Sequence, residues 1–414
     1  MKRTVLIVCG GIEAVHGIRR AKELGFHVVV SDRDPNAPGL LEADDCLISC
    51  TYDATATMRA AQRYAQTVRP IHGVLSIGAD VPWTVANVAH SLGLPGLSLE
   101  AAHLAADKLA MKERLAERGV PIPWYEGVES AAHLARLRSQ HDNLVVKPVD
   151  SRGSRGVVRL ERFVDTAWAF EQAREISPTG RVMAEQYLPG PQVSTESIFA
   201  AGTLETPGFS DRNYEHLERY APYFIENGGD LPSHLPADMQ SEVKRTVAAG
   251  AEALGFRHGT VKGDIVVYNG KPFIIELAPR LSGGYFCTLE IPLNTGVDFV
   301  GCAIRAAVGD PVAIADVTPR LNRPVVQRYV FPASGRILSL DGVEAAREMP
   351  GIEHVIVSRK AGDKTHTIRD TTSRSAMVIA TGIDVEEASK RAKAASDLIR
   401  IVTDEEGERE ALAG

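Results

Sequence analysis

Short apolar runs and amphipathic stretches alternate along the first hundred residues of the chain. The apolar runs are rich in valine, isoleucine and leucine and have the length of buried strands. The amphipathic stretches repeat their apolar positions with the period of a helix that covers a sheet. The predicted strands are Thr4–Cys9, His27–Ser31 and Gly73–Ile77, and the predicted helices are Glu13–Leu24, Thr55–Val68 and Asp80–Leu92. This alternation, which ends at the breaker Gly93–Gly96, predicts one small parallel sheet.

The first predicted turn carries part of a dinucleotide-binding pattern. Gly10-Gly11 follows the first strand, Gly17 lies in the helix, and Asp32 comes about twenty positions after the glycines. The Gly-x-Gly-x-x-Gly fingerprint nevertheless fails at its second glycine. We therefore expect residues 1–97 to form a Rossmann-like domain without a cofactor of its own. An NAD-dependent oxidoreductase that uses Asp32 is the alternative.

From Trp124 onward the pattern changes to short strands with helices between them. Within residues 143–157, an apolar strand ends in Lys147 and a glycine-rich loop follows. Glycines let backbone amides approach an anion closely, and the lysine adds a positive charge, so we expect this loop to bind phosphate. The lysine precedes the glycines, so the loop is not a Walker motif. An ordinary flexible turn is the alternative.

A second lysine lies at a position where helix stability does not favour it. Asp107 can cap a fresh helix whose first residue is Lys108. A cation in a first turn opposes the helix dipole by a few tenths of a kcal/mol. A bound phosphate would explain Lys108, and a solvated surface lysine is the alternative.

The segment Glu185-Gln186-Tyr187-Leu188 ends a predicted strand and is cut off by Pro189, Gly190 and Pro191. Extended backbone between apolar side chains can pair with the edge of a purine while the side chains cover its faces. We therefore predict an adenine site here. A plain hinge between two lobes is the alternative, and both interpretations can hold together.

Two apolar runs around Asn269-Gly270 predict a β-hairpin that carries Asp264 and Glu276. A two-residue turn would place these carboxylates on opposite faces, whereas a three-residue turn ending in Gly270 would place them on the same face. On one face they would hold one or two hard cations, Mg²⁺ with a bound phosphate above all. Carboxylates at solvated strand ends are the alternative. Arg280, just beyond, is suited to bidentate capture of a carboxylate or phosphoryl group.

Composition and charge narrow the class of protein. A chain of 414 residues has room for roughly two to four domains. Its net charge of −7 gives no basic surface for nucleic acid. Five cysteines without a Cys-x-x-Cys pair suit a reducing compartment. We see no cleavage site and no long apolar segment, so we expect a cytoplasmic protein that does not bind membrane. The polar tail after Asp404 is expected to fray.

Taken in order, these stretches resemble the ATP-grasp carboxylate–amine ligases, among them the L-amino acid ligases and the biotin carboxylase-like enzymes. The order is Asp107-Lys108, Val-Lys-Pro with Gly-Ser-x-Gly, Glu-Gln-Tyr-Leu-x-Gly, and finally Asp264 with Glu276-x-x-x-Arg280. The resemblance implies an α/β protein of three parts. These are a Rossmann-like N-terminal domain (1–97), a two-lobed ATP-grasp α+β core (98–300, with its small lobe at about 124–188) and a small mixed C-terminal domain (301–414).

The resemblance also implies roles for individual residues. Lys147 and Arg280 would be catalytic, and Asp264 and Glu276 would hold the metal. The residues implied to bind ATP are Lys108, Lys147, Ser151, Gly153, Ser154, Gly156, Glu185, Gln186, Tyr187, Leu188 and Gln192. Those implied to bind the substrate are Arg280, Ser282 and Gly283.

The implied activity is an ATP-dependent ligase that joins a small, amino-acid-like carboxylate to an amine through an acyl phosphate, releasing ADP and phosphate. ATP and Mg²⁺ would be the cofactors, with Mn²⁺ as a substitute, and the chain would act on small molecules as a homodimer. Two positions depart from the family pattern: Gln192 replaces a ribose-binding glutamate, and Ala278 replaces a metal-ligand asparagine. The second departure resembles ligases that make dipeptides. An enzyme that activates bicarbonate is the alternative.

Overall fold

The computed structural model describes residues 2–405, so the tail beyond Glu405 lies outside the described residues. The chain divides into two compact units. The first unit consists of Met1–Ile122, Val193–Phe209 and Leu235–Asn322, and the second consists of Pro123–Gln192, Ser210–His234 and Arg323–Gly414. The division into three domains that the sequence suggests stays a prediction.

The N-terminal region forms the predicted parallel sheet with helices around it. Its strands are β1 (Thr4–Val8), β2 (His27–Asp32), β3 (Asp45–Ile48) and β4 (Gly73–Leu75), and its helices are α1 (Val15–Glu23), α2 (Pro38–Glu42), α3 (Ala54–Thr67), α4 (Pro82–Ser91) and α5 (Leu99–Ala106). The strand order is β3-β2-β1-β4, and every pairing is parallel. The short edge strand β3 and the helix α2 were not predicted from the sequence.

The position of β1 in this sheet determines where a ligand can bind. All five residues of β1 are buried, as a strand covered on both faces requires. The chain leaves β1 toward β2 on one side, while β4 lies on its other side. In open parallel sheets such a reversal of strand order opens a crevice at the carboxyl ends of the two strands. The crevice between β1 and β4 is therefore a natural ligand site.

An antiparallel sheet follows in the second unit. The elements of this stretch are α6 (Lys108–Glu117, still in the first unit), β5 (Tyr125–Val128), α7 (Ala131–Gln140), β6 (Leu144–Pro148), β7 (Val158–Arg159), α8 (Thr166–Ile176) and β8 (Val182–Gln186). The strand order is β5-β8-β6-β7. Leu134 of α7 and Phe170 of α8 pack against Val146 of β6 in one apolar core. This core fixes the strand that carries Lys147.

The chain returns to the first unit at Val193, and the strands that follow form the second sheet of that unit. The next elements are β9 (Gln192–Ala200), β10 (Thr203–Arg212), β11 (Gly229–Leu231), α9 (Ala237–Ala253), β12 (Thr260–Tyr268) and β13 (Lys271–Ala278). Within the first unit the neighbouring strands are ordered β13-β12-β9-β10. One face of the sheet packs Val193, Ile265 and Leu277 against apolar side chains of α6 and α9, which include Leu115 and Val247. The opposite face is free to carry polar residues.

The remaining elements are a π-helical turn (Phe286–Glu290), α10 (Ile291–Thr295), α11 (Phe299–Ala307), α12 (Ile314–Val317), β14 (Val325–Val330), β15 (Gly335–Asp341), α13 (Val343–Arg347), β16 (Ile352–Val357), β17 (Lys364–Thr365), β18 (Ala376–Thr381), α14 (Val385–Leu398) and β19 (Arg400–Thr403). In the second unit, β11-β14-β18-β16 and β17-β15-β19 are runs of antiparallel neighbours. Across residues 2–405, no helix has the length and apolar character needed to cross a membrane.

Candidate active site

Lys147 is held by a buried ion pair in the second unit. β6 and β8 are antiparallel, with Val145 opposite Glu185 and Lys147 opposite Met183. Lys147 and Glu185 therefore lie on the same face of neighbouring strands. Lys147 Nζ donates to Glu185 Oε1 at 2.5 Å, and both side chains are only 5% exposed. The lysine predicted to bind phosphate and the first residue of the predicted adenine segment thus form an ion pair with each other.

The glycine loop that follows Lys147 has the backbone conformation of an anion-binding turn. Gly153, Ser154 and Gly156 are in the left-handed region, with φ of 67°, 57° and 73°. Such residues reverse the direction of backbone amides over a short stretch, which creates a concave surface that favours phosphate. Asp150 anchors the start of the loop by accepting a hydrogen bond from Ser177 Oγ at 2.6 Å. Ser151 is buried beside it.

The predicted adenine segment is partly used by the fold itself. The amide of Gln186 donates to Trp124 O at 2.8 Å, and the amide of Tyr187 donates to Asn143 O at 2.9 Å. These two donors are therefore already paired within the second unit, and the adenine site and the hinge both stay predictions. Leu188 is buried, and its apolar side chain suits the face of a base.

In the first unit, the hairpin β12–β13 brings Asp264 and Glu276 together by a route that the sequence did not predict. Its turn contains the two residues Asn269 and Gly270, both in the left-handed region (φ 50° and 71°). With a two-residue turn we expected the carboxylates on opposite faces, and that inference is wrong. The register shifts between Asp264 and Ile265, so that Asp264 lies directly opposite Glu276. The extra residue of this β-bulge, Ile275, restores the common face.

Each hairpin carboxylate has a lysine partner. Lys108 Nζ lies 3.2 Å from Glu276 Oε1, and the two side chains are 12% and 24% exposed. Lys262 Nζ forms an ion pair with Asp264 Oδ2. Lys108 begins α6 behind its predicted cap, since the Asp107 carboxylate accepts a hydrogen bond from Ala110 N at 3.0 Å. Charge pairing therefore explains why a lysine lies in that first turn.

Beyond the hairpin, Arg280 lies among acidic side chains of the first unit. Arg280 Nε is 3.8 Å from Asp80 Oδ1. Glu196 Oε1 accepts a hydrogen bond from Ser282 N at 3.0 Å, and Glu13 Oε1 accepts one from Gly284 N at 2.9 Å. We call Glu13, Asp80, Glu196, Arg280 and Ser282 the Arg280 cluster.

Glu196 is the most buried acid of the Arg280 cluster. The residue is 0% exposed, and its Oε2 atom has no hydrogen-bond partner among the described residues. Burial raises the pKa of Glu196 to about 7, although contacts with Ser282 and the charges of Arg280 and Lys262 act in the opposite direction. The carboxyl group of Glu196 is therefore expected to change its protonation state near neutral pH.

The Arg280 cluster lies at the crevice between β1 and β4. Glu13 follows β1, and Asp80 follows β4. Ile77 forms a parallel bridge with Leu281, and Gly78 N donates to Leu281 O at 3.2 Å. These contacts fasten the segment after Arg280 to the carboxyl end of β4. The cluster thus occupies the position where a doubly wound sheet binds ligands.

Asp32, which suggested a dinucleotide, has a local role. Its Oδ2 atom accepts a hydrogen bond from Gly10 N at 2.9 Å, and Oδ1 accepts one from Asp34 N at 3.0 Å. The carboxylate thus holds the glycine turn that leads to Glu13.

Three family models match successive parts of the chain, and together they cover more than half of it. They describe an ATP-grasp N-terminal domain (residues 18–96), an ATP-grasp domain (105–284) and the L-amino acid ligase C-terminal domain 2 (328–404). The chain is an ATP-grasp ligase. It belongs to the family of ATP-dependent carboxylate–amine ligases, whose members release ADP.

Two relatives and one solved structure illustrate the extent of the likeness. Carnosine synthase 1 from Gallus gallus is 27% identical over 340 residues, which cover 75% of this chain and 35% of that protein. Formate-dependent phosphoribosylglycinamide formyltransferase from Burkholderia cenocepacia is 25% identical, with coverage of 97% and 96%. The crystal structure of L-amino acid ligase from Bacillus licheniformis superimposes with a TM-score of 0.82 at 20% identity, over 97% of this chain and 99% of that one. This structural likeness shows a shared fold.

The donor set of this ATP-grasp hairpin fits a divalent cation that arrives with phosphate. Asp264 and Glu276 supply hard oxygen ligands from one face, which Mg²⁺ prefers. Within residues 2–405, no group of three or more histidine, cysteine, aspartate or glutamate side chains could hold a metal. Mg²⁺ commonly uses one or two carboxylates together with substrate phosphates and water. The two carboxylates are therefore sufficient for that mode of binding.

Several charged residues near the predicted ATP-grasp site were not predicted from the sequence. Glu13, Asp80 and Glu196 lie far from Arg280 along the chain, and only the fold brings them to it. Lys262 had a readable signal, since it lies two residues before Asp264 in one strand and must share its face. Glu13 also had a signal, because it lies two residues after the glycine turn at the end of β1.

Proposed function

We propose that the chain activates the carboxylate of an amino acid as an acyl phosphate and joins it to an amine, with release of ADP and phosphate. The observation that carries this proposal is the arrangement of the first unit. Asp264 and Glu276 lie opposite each other with lysine partners, and Arg280 follows four residues later among acidic side chains. Metal-assisted phosphoryl transfer needs the two carboxylates with their lysines, and substrate recognition needs Arg280 with its acidic neighbours.

The roles that the resemblance implies for the ATP contacts are part of this proposal. Lys108 and Lys147 would bind its phosphates, and Ser151, Gly153, Ser154 and Gly156 would close over them. Glu185 to Leu188 would line the adenine, and Gln192 would hydrogen-bond the ribose. Asp264 and Glu276 would hold Mg²⁺, or Mn²⁺ in its place. When bound, the metal would neutralise charge on the transferring phosphoryl group.

The chemistry would proceed in two steps. A carboxylate oxygen of the substrate attacks the γ-phosphorus, the bond to the β-phosphate oxygen breaks, and ADP leaves. The guanidinium of Arg280 orients the attacking carboxylate and stabilises the negative charge that develops. The amine then attacks the acyl carbon, phosphate leaves, and the amine loses a proton. Ordering of the glycine loop would exclude water, which otherwise hydrolyses the acyl phosphate.

The Arg280 cluster supports an amino acid as the substrate. A cationic guanidinium can bind a carboxylate, while the carboxylates of Glu13 and Asp80 can bind an ammonium group. Ser282 and Gly283 lie in the same segment and would complete the substrate contacts. The match to the L-amino acid ligase C-terminal domain supports the same substrate class.

A screen for ADP release tests the proposal. Purified protein with ATP and Mg²⁺ is offered amino acids and other small carboxylic acids, singly and in pairs, and ADP and phosphate are quantified. We expect release that depends on an amino acid and is strongest with a suitable second amine. Production of AMP and pyrophosphate would contradict an acyl phosphate route. Release that needs only bicarbonate would replace the proposal with a carboxylase-type reaction.

A further inference from the structure

Lys262 lies on the same face of the hairpin as the two candidate metal ligands. Along β12, Lys262 and Asp264 are two residues apart and so point the same way. Across the hairpin, Lys262 lies opposite Ala278, and Asp264 lies opposite Glu276. Four neighbouring positions of this face, two on each strand, thus carry an ammonium group, two carboxylates and a methyl group. The methyl group of Ala278 offers no ligand for a cation.

The ammonium group of Lys262 is a counterion of the Asp264 carboxylate. Its Nζ forms an ion pair with Asp264 Oδ2, and both side chains are less than one-fifth exposed. The other carboxylate oxygen, Oδ1, is 3.4 Å from the hydroxyl of Ser194 on β9. One oxygen of Asp264 can therefore keep the ammonium while the other binds a metal ion.

The charges of this face limit how many cations it can accept. The carboxylates of Asp264 and Glu276 form ion pairs with the ammonium groups of Lys262 and Lys108, and the charge of Arg280 acts on both carboxylates as well. Lys108 comes from a different element, the start of α6. Lys262 is fixed in the strand beside Asp264. A second divalent cation at Asp264 would face this ammonium at short range, and like charges at that range repel strongly when water is partly excluded.

We propose that Lys262 takes the place of a second divalent cation, so that this site works with one metal ion per nucleotide. The ammonium lies opposite Ala278, the position at which a further ligand is missing, and supplies the positive charge that a second ion would bring. This inference rests on the proposed function, because it assumes that ATP phosphates reach the hairpin. It goes further by fixing the number of metal ions and by naming the residue that sets it.

Counting bound Mn²⁺ tests the inference directly. The full chain is saturated with a non-hydrolysable ATP analogue and titrated with Mn²⁺, and free Mn²⁺ is measured by electron paramagnetic resonance. We expect the wild type to bind one Mn²⁺ per chain together with the analogue. We expect Lys262→Gln to bind two, because the variant keeps Asp264 and loses the competing charge. Lys262→Arg keeps the charge and should stay at one.

The control is Lys271→Gln, which removes the same charge from the same face of the hairpin at its far end, where Lys271 is exposed. It should bind one Mn²⁺, like the wild type. With Mg²⁺, Lys262→Gln should also lose turnover by about 10- to 1,000-fold, a range typical for the loss of one charge-stabilising group. Higher Mg²⁺ should restore part of this loss, whereas a merely structural role of Lys262 would give a loss that Mg²⁺ does not change.

The outcomes separate this inference from the ligase proposal. Two Mn²⁺ per wild-type chain would overturn the role of Lys262 and leave the ligase proposal intact. One Mn²⁺ in both the wild type and a folded Lys262→Gln variant would also overturn it. If the analogue does not bind at all, the ligase proposal fails, and this inference fails with it. If Lys262→Gln does not fold, the wild-type and Lys262→Arg counts still test the inference, because two Mn²⁺ in either protein would overturn it.

Discussion

Two lysine–glutamate pairs, one in each unit, differ in burial. The Lys147–Glu185 pair joins two central strands at 2.5 Å, and each side chain is 5% exposed. The Lys108–Glu276 pair joins a helix start to a hairpin at 3.2 Å, with exposures of 12% and 24%. The first pair is shielded from water, whereas the second can be reached by a ligand.

This difference gives the two pairs different tasks. A buried ion pair is costly to break, because the remaining charge is left without water or a partner. Loss of either partner of the Lys147–Glu185 pair would therefore destabilise the sheet, apart from any role of Lys147 in binding a ligand. A partly exposed pair gains little stability from its contact. When a nucleotide binds, Lys108 can therefore leave Glu276 to contact a phosphate, and Glu276 can bind the metal ion.

The largest expected effect is the loss of turnover on replacing Glu276 by glutamine. The variant removes one of two candidate metal ligands, and we expect ADP release to fall by about 1,000-fold or more. Because the pair is partly exposed, the free energy of unfolding should change by less than about 1 kcal/mol. Steady-state ADP release and urea unfolding measure the two quantities.

Glu252→Gln, at an exposed glutamate of α9, serves as the control for the Glu276 variant. It should change neither quantity. Turnover of the Glu276 variant at the wild-type rate would remove the hairpin from the proposed mechanism.

Replacing Lys147 by alanine tests the buried pair. From the sequence alone we expect loss of turnover with an intact fold, but the ion pair adds a stability effect. The variant leaves Glu185 buried without its lysine, which typically destabilises a protein by about 3–5 kcal/mol. Lys108→Ala should also lower turnover, yet should change unfolding by less than about 1 kcal/mol. Urea unfolding of both variants, beside ADP release, gives the comparison.

A double variant separates the two tasks of Lys147. Lys147→Met combined with Glu185→Leu replaces the buried charges by apolar side chains of similar volume. It should recover most of the lost stability and none of the turnover, because apolar replacements of buried ion pairs are often neutral or stabilising. Equal stability of Lys147→Ala and Lys108→Ala would mean that burial does not distinguish the two pairs.

Glu196, in the first unit, predicts a pH dependence of the free energy of unfolding. Its pKa is about 7 in the folded chain, against an ordinary value of 4.5. The stabilising contribution of this carboxyl group is fully present below pH 4.5 and is lost as pH rises toward 7, because the unfolded chain ionises first. The loss amounts to about 3 kcal/mol at most. Urea unfolding between pH 4.5 and 8 should show this decline relative to Glu196→Gln, and parallel curves for the two proteins would refute it.

Whether the sequence predicts a feature depends on whether the signal for that feature lies within one short stretch of the chain. Lys147 with its glycine loop, the hairpin acids and Arg280 each lie within one short stretch, at strand ends where the type of residue is informative. The parallel sheet is also confirmed, and its strands β1 and β2 each carry a run of buried apolar residues. The short strand β3 was missed because it lies at the edge and its residues alternate in exposure.

Tertiary contacts account for the rest. Glu196 comes from β9, and nothing in its own stretch indicates that it lies buried beside Ser282. The bulge at Ile275 decides the register of the hairpin, yet an isoleucine in an apolar run gives no sign of a bulge. The roles of the predicted site residues, the cytoplasmic location and the homodimer stay predictions.

The smallest effect concerns which feature sets the register of the hairpin. Gly270 has φ of 71°, and a Cβ added there would meet no atom within 4 Å. Gly270→Ala should therefore cost only the strain of the left-handed conformation, about 1 kcal/mol. Because the bulge and not the turn aligns Asp264 with Glu276, ADP release should stay within about twofold of the wild type. A tenfold loss of ADP release in a folded variant would show that the turn also sets the register. The alignment of Asp264 with Glu276 would then depend on both the bulge and the turn.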